Sequence, residues 1–202
     1  MSFSRVFSIF FHPVFMPLLI VYLYINLTGL DHWGITQTDT LVLYFIMFFF
    51  SALIPVISLF YLIKQKSVSS IEMENKKERP KPLFITCISM FLGGGVIMLL
   101  INNIWIAIRP VYISFCFIVL ISAIISKYWK ISLHMLGCGG VCGTLLILYM
   151  QNITNIYVLL LFLILSFIVA IARIKENAHN KSQLYIGFLV GIIFEASFIM
   201  LL

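Results

Sequence analysis

Residues 156–202 read IYVLLLFLILSFIVAI-ARIKENAHNKSQ-LYIGFLVGIIFEASFIMLL: two apolar runs, 156–171 and 184–202, joined by a polar break at Ala172–Gln183. Apolar runs of about 17–25 residues are long enough to cross a bilayer as helices. The break carries Arg173, Lys175, His179 and Lys181. An arginine and a histidine held together at a membrane surface can grip a phosphate and attack it. A basic loop is also what any membrane protein displays on one side, so the rest of the chain has to decide between the two.

The chain has 202 residues, 62% hydrophobic and 10% charged, whereas soluble domains carry about 25% charged residues. This composition means a polytopic membrane protein, a single domain over 1–202 with one longer polar loop at about 64–81. The net charge of +6 is a topology signal and not a sign of nucleic-acid binding. Cys87, Cys116, Cys138 and Cys142 all fall inside apolar runs, which argues against a disulfide framework. Arg5 followed by an apolar run looks superficially like a signal peptide. His12, Pro13 and the lack of a small-residue cleavage site make it a retained first span instead.

Seven runs are read as spans, at about 13–29, 40–63, 82–101, 110–128, 132–150, 155–171 and 184–202. The expected fold is an all-α transmembrane bundle of about seven helices, with a six-helix core as its smaller form. Pro13 suits a first helical turn and Pro55 a kink. With seven spans, one face collects Arg5, Lys64, Lys66, Lys76, Lys77, Arg79, Lys81, Lys127, Lys130, Arg173, Lys175 and Lys181. Of the 13 lysines and arginines, only Arg109 falls on the other face, whose 30–39 loop holds Asp31 and Asp39. The positive-inside rule puts the cation-rich face in the cytoplasm, with the N-terminus inside and the C-terminus outside, as in a bacterial inner-membrane protein.

In the 64–81 loop, Ser69 and Glu72 have capping-box spacing, and Glu72 and Lys76 are four apart. A short surface helix is expected there, ending near Arg79, with Pro80 and Pro82 starting the next span. Lys127, Trp129 and Lys130 read as interface anchors.

Three pieces of the cation-rich face then line up: Arg79-Pro80, Ser132-Leu133-His134 and Arg173-x5-His179. Their order and types resemble the type 2 phosphatidic acid phosphatase superfamily, which also includes the vanadium haloperoxidases, with motifs K-x6-R-P, P-S-G-H and S-R-x5-H-x3-D. The resemblance covers about residues 72–183. Glu72 stands where the first motif has lysine, with Lys76 and Lys77 nearby as substitutes. Ile131 and Leu133 replace the proline and glycine, Ala172 the serine, and Gln183 the aspartate. A rival first motif, Asn102-x6-Arg109-Pro110, falls across the membrane from His134.

What the resemblance implies is a lipid phosphatase acting through a phosphohistidine. His179 would be the nucleophile and His134 the acid for the leaving alkoxide. Arg79, Arg173 and Ser132, with Lys76 and Lys77, would hold the phosphate. Gln183 would orient His179 in place of the aspartate, and Glu176 is a second candidate for that task. The expected substrate is a glycerolipid or polyprenyl phosphate, and the expected partners are membrane lipids, with no nucleic acid, no metal and no cofactor. The haloperoxidase branch is set aside because those enzymes are soluble. Two other classes stay open: an inactive relative that binds anionic headgroups, and a small transporter using Glu195.

His134, Cys138 and Cys142 share a helix face, but no fourth ligand joins them, so the small-residue run Gly137–Gly143 is better read as close helix packing, as are Gly93–Gly95, Gly187 and Gly191. Glu195 lies inside the last span, where an acid is a functional candidate by default. Arg109, Asn102 and Asn103 are its expected partners.

Overall fold

The computed structural model describes residues 3–29 and 34–202. The loop residue Asp31 lies outside them, as does the side chain of Arg5. The described residues form helices and connections only. These are α1 (Phe3–Phe10), a 3-10 turn Pro13–Phe15 leading into α2 (Met16–Thr28), α3 (Gln37–Met47), a π turn Phe48–Leu53 leading into α4 (Ile54–Lys64), α5 (Pro80–Leu100), α6 (Asn102–Ser126), α7 (Leu133–Met150), α8 (Ile156–Lys175) and α9 (Lys181–Leu201). Six stretches are long and apolar enough to span a membrane: Gln37–Lys64, Lys76–Leu100, Asn102–Ser126, Leu133–Met150, Ile156–Lys175 and Lys181–Leu201. Pro13–Thr28 is apolar but shorter. It is about 25 Å long at 1.5–2.0 Å per residue, against a hydrocarbon core of roughly 30 Å. The protein is an integral membrane helix bundle.

The expected kink at Pro55 takes a specific form. The chain bulges through a π turn just before it, and Ile54 N donates to Phe49 O. Continued one residue further, this pattern would pair Phe50 O with the nitrogen of Pro55, which has no hydrogen. Ser89 Oγ of α5 donates to Phe50 O instead, at 2.7 Å. The bulge is therefore satisfied by the neighbouring helix rather than by water.

Two expectations about connections are corrected. Residues 102–109 are not a turn: α6 begins at Asn102, directly after a break at Ile101 (φ −141°, ψ 61°), and Pro110 sits inside it. Ile104, Ala107, Ile108 and Val111 are buried at helical spacing, which extends the helix outward past the proline. The surface helix expected from Ser69 is also absent. Ser69 N and Oγ both donate to Glu78 Oε2, at 2.9 and 2.8 Å, so Glu72 is not its partner. Left-handed backbone at Lys66 (φ 58°) and Met73 (φ 45°) stops a helix from propagating. Only a 3-10 turn, Lys76–Glu78, forms, capped by Asn75. Lys76 Nζ donates to Tyr128 O rather than pairing with Glu72. Pro80 opens α5, as its position suggested.

α7 is the most enclosed span. It runs parallel to α9 in the closest helix pair of the bundle. Glycines allow this approach. A Cβ on Gly143 would sit 2.8 Å from Ile192 O, and one on Gly187 would sit 2.8 Å from Ser132 O. Methyl groups on Gly139 and Gly191 would run into Phe188 O and Leu136 O. Glu195 faces this seam with no exposure to solvent. Its partners are neither Arg109 nor Asn102 or Asn103: Ser114 Oγ donates to Oε2 at 2.8 Å, and Thr144 Oγ1, which also reaches Gly140 O at 3.2 Å, lies 3.4 Å from Oε1. The seam places the acid against α6 at Ser114 and α7 at Thr144.

Candidate functional site

The parallel start of α7 and α9 fixes the site. Ser132 is the N-cap of α7, its Oγ accepting from Met135 N at 3.4 Å. Its own N–H donates to Gln183 O at 3.3 Å, which ties the two helix starts together. Ser132 is fully buried. Asn180 caps α9 in a capping box: Gln183 N donates to Asn180 Oδ1 at 2.9 Å, and Asn180 N donates to Gln183 Oε1 at 3.3 Å. The same Gln183 Oε1 lies 2.9 Å from His179 Nδ1. An oxygen that accepts from a backbone N–H is a carbonyl oxygen, so Nδ1 must carry the ring's proton toward it. This leaves the Nε2 of neutral His179 unprotonated, with its lone pair free.

The polar break is shorter than its sequence suggested. α8 runs on through Arg173 to Lys175, so Arg173 sits in the last turn of a helix. Its Nη1 donates to Glu176 Oε2 at 2.7 Å, and Ser8 Oγ of α1 donates to that same oxygen at 3.1 Å. Glu176 thus serves Arg173 and not His179. Arg173 Nε is buried with no partner. Arg79 is 4% exposed, yet its donors meet only neutral carbonyls, Nε to Met73 O at 2.9 Å and Nη1 to Ile131 O at 2.7 Å. Among the described residues no carboxylate pairs with it. His134 is buried, with Nε2 3.1 Å from Ser8 O, which makes Nε2 the protonated nitrogen.

These groups stand within electrostatic reach of one another. The charges of Arg79 and Arg173 oppose one another, and both act on His179. Arg173, His12 and His179 act on His134. Burial above all, then the positive charges of Arg79, Lys130 and Arg173, push His179 down to about 4, against the bond to Gln183. Its ring is neutral at physiological pH. Lys76, held by Tyr128 O, and exposed Lys77 are not among the cations acting on that ring.

Two members were not picked out by sequence. Lys130, read as an interface anchor, is half-buried and acts on His179. Burial, then Arg79, lowers its pKa, Arg173 adding to the shift and Glu74 and Glu72 opposing it. Its place two residues before Ser132 was the available signal. His12 caps the turn before α2, and its ring meets His134 edge-on at 5.6 Å between centroids. Burial, then Arg173, lowers its pKa. Three of the four histidines thus stand at one end of the bundle, while His32 lies outside the described residues. Comparison with family models, with curated proteins and with solved structures returns no match for this chain.

Proposed function

We propose that this protein binds the phosphate of a lipid at the cation-rich end of the bundle and hydrolyses its ester through His179. The observation that carries this reading is unmatched positive charge. Arg79 and Arg173 are both buried, they repel one another, and among the described residues they hold a single carboxylate between them, Glu176. Buried charge left without a counter-ion is costly. A phosphate dianion would supply the missing charge, take the free Arg173 Nε, and meet the guanidinium fork that suits its oxygens. His179, neutral and with Nε2 unprotonated, then has the lone pair a nucleophile needs. Attack forms the N–P bond as the P–O bond to the lipid breaks. His134 gives the leaving alkoxide its proton as an imidazolium: its Nδ1 must first take up a proton, which the incoming phosphate dianion favours, and its Nε2–H must exchange Ser8 O for the substrate oxygen. Water then cleaves the phosphohistidine. The substrate is a glycerolipid or polyprenyl phosphate, the site faces the cytoplasm of a bacterial inner membrane, and the C-terminus lies outside.

A phosphate-release assay on detergent-purified protein, with His179→Ala and His134→Ala beside the parent, tests the chemistry. Release should disappear in the first and fall strongly in the second. Equal activity in all three would remove the catalytic assignment. One observation favours a second reading. Gln183 offers His179 an amide where a carboxylate would stabilise the imidazolium, and His134 is already engaged by Ser8 O. A protein that only holds anionic headgroups would bind lipid phosphate in this assay and release none.

A further inference from the structure

A groove of about 310 Å³ runs into the bundle between α2, the π turn with α4, α5, α6 and α7. That size falls within the roughly 300–1,000 Å³ of sites built for small ligands. Its outer rim includes Phe15, Phe60 and Ile71, all exposed on the surface that faces lipid or headgroups. Its floor reaches Ile20, Met90 and Gly140, where Ile20 and Met90 are fully buried. The lining on α5 runs from Pro82 to Met90, and that on α7 from Leu133 to Gly140. At 1.5 Å per residue the groove is about 11–12 Å deep. Three hydroxyls line it, and each is spent on its own helix: Ser51 Oγ on Met47 O (2.6 Å), Thr86 Oγ1 on Pro82 O (2.9 Å) and Ser122 Oγ on Val119 O (2.7 Å). The groove therefore offers an occupant a hydrocarbon surface.

One end of the groove lies beside the cation cluster, reached through His12, Met73 and Leu133. His12 lines the groove and packs on His134. Met73 lines it, and its carbonyl holds Arg79 Nε. Leu133 lines it between Ser132 and His134. We propose that this groove holds one hydrocarbon chain of the lipid whose phosphate binds at Arg79 and Arg173. The proposal rests on the phosphate-site reading and adds what positions the substrate. A chain entering sideways past Phe15 and Phe60 keeps its headgroup at the surface. Lipid tails are as apolar as the groove, so entry brings little gain in affinity. The gain is alignment: a chain fixed below the phosphate sets the ester against His179. An extended chain advances about 1.25 Å per methylene, from a 1.52 Å bond and an angle near 111°. About nine methylenes fill the groove, and further carbons lie in the bilayer.

The test is photolabelling of the full-length protein in lipid nanodiscs with hexadecyl phosphate carrying a diazirine at its third, eighth or terminal carbon. The third-carbon probe should label peptides around His12–Phe15 and Pro82–Leu83. The eighth-carbon probe should label Ile20, Met90 or Gly140. The terminal probe should scatter over bilayer-facing residues such as Ile88 and Phe167. Plugging the groove with Thr86→Phe or Val119→Phe should abolish the deep label, and Ile88→Phe should leave it. Deep labelling no stronger than that of Ile88 in the parent protein would overturn the proposal, whatever the folding of the plugged variants. So would equal labelling by hexadecanol bearing the same eighth-carbon diazirine, because the phosphate would then not be the anchor. Phosphate release is scored in the same samples. Graded labelling without release leaves the groove standing and removes the hydrolytic reading, whereas release without graded labelling does the reverse.

Discussion

Two buried polar centres stand on the α7–α9 pair, and they are completed in opposite ways. Around Glu195 both oxygens lie beside a hydroxyl, Ser114 Oγ at 2.8 Å and Thr144 Oγ1, shared with Gly140 O, at 3.4 Å, and glycines let α7 close over the side chain. At the helix starts, Arg79 and Arg173 are nearly as withdrawn from water, yet Arg173 Nε and Glu176 Oε1 have no partner and Arg79 holds only neutral carbonyls. An ionisable residue inside a membrane protein invites a functional reading wherever it sits. What separates the two is less their burial than how far their polar atoms are satisfied, and the proposal of a phosphate site rests on that difference.

The comparison can be broken first at the closed centre. Gly191→Leu would drive a side chain into Leu136 O. It should cost about 3 kcal/mol or more, the upper end of overpacking penalties, read as a collapse of thermal stability in detergent. A parent-like melt would mean that the close helix approach is not what holds the seam. At the open centre, His179→Ala should lower phosphate release at least about a hundredfold while the melting temperature stays near that of the parent. The third test is acid. His179 has a folded pKa of about 4 against 6.5 for an ordinary histidine, so the unfolded chain takes up this proton first as pH falls. Stability should be full above about pH 6.5 and decline toward pH 4, by up to about 3 kcal/mol. Melting curves across that range should be flatter for His179→Asn. Smaller again is a gain: Gln183→Asp places a charged acceptor beside the imidazole and should raise turnover about tenfold, since a bond to a charged partner is the stronger kind. Unchanged turnover would favour the headgroup-binding reading. Least of all, Glu195→Gln keeps one acceptor oxygen for Ser114 and offers an amide N–H to Thr144 Oγ1, which can accept while it donates to Gly140 O, so phosphate release should stay within about twofold and stability within about 1 kcal/mol.

The spans were legible because bilayer thickness imposes a length on apolar runs, and hydropathy reports that directly. Pro80 as a helix start was legible for an equally local reason. The errors share a cause in tertiary context. Asn102–Arg109 looks polar enough for a turn, but Ile104 and Ile108 have a surface to bury against. Ser69 and Glu72 have the spacing of a capping box, but Glu78 reaches Ser69 from nine residues away. In the site, Arg79, His134, Arg173 and His179 stood out by type and by face. Lys130 and His12 did not, because each has a plain local role, as an interface anchor and as a turn cap, that hides a long-range one. Glu195 was visible, but its partners were not, since they depend on which helix α9 lies beside.

Gln183 Oε1 receives both the Asn180 amide and the His179 ring. The first turn of α9 and the orientation of the imidazole are therefore one mechanical element. Helix ends fray on timescales far shorter than a catalytic cycle, and each fraying event here would release the ring to rotate and exchange its tautomer. Amide hydrogen exchange at Asn180 would then measure the fraction of time the imidazole is held in one orientation.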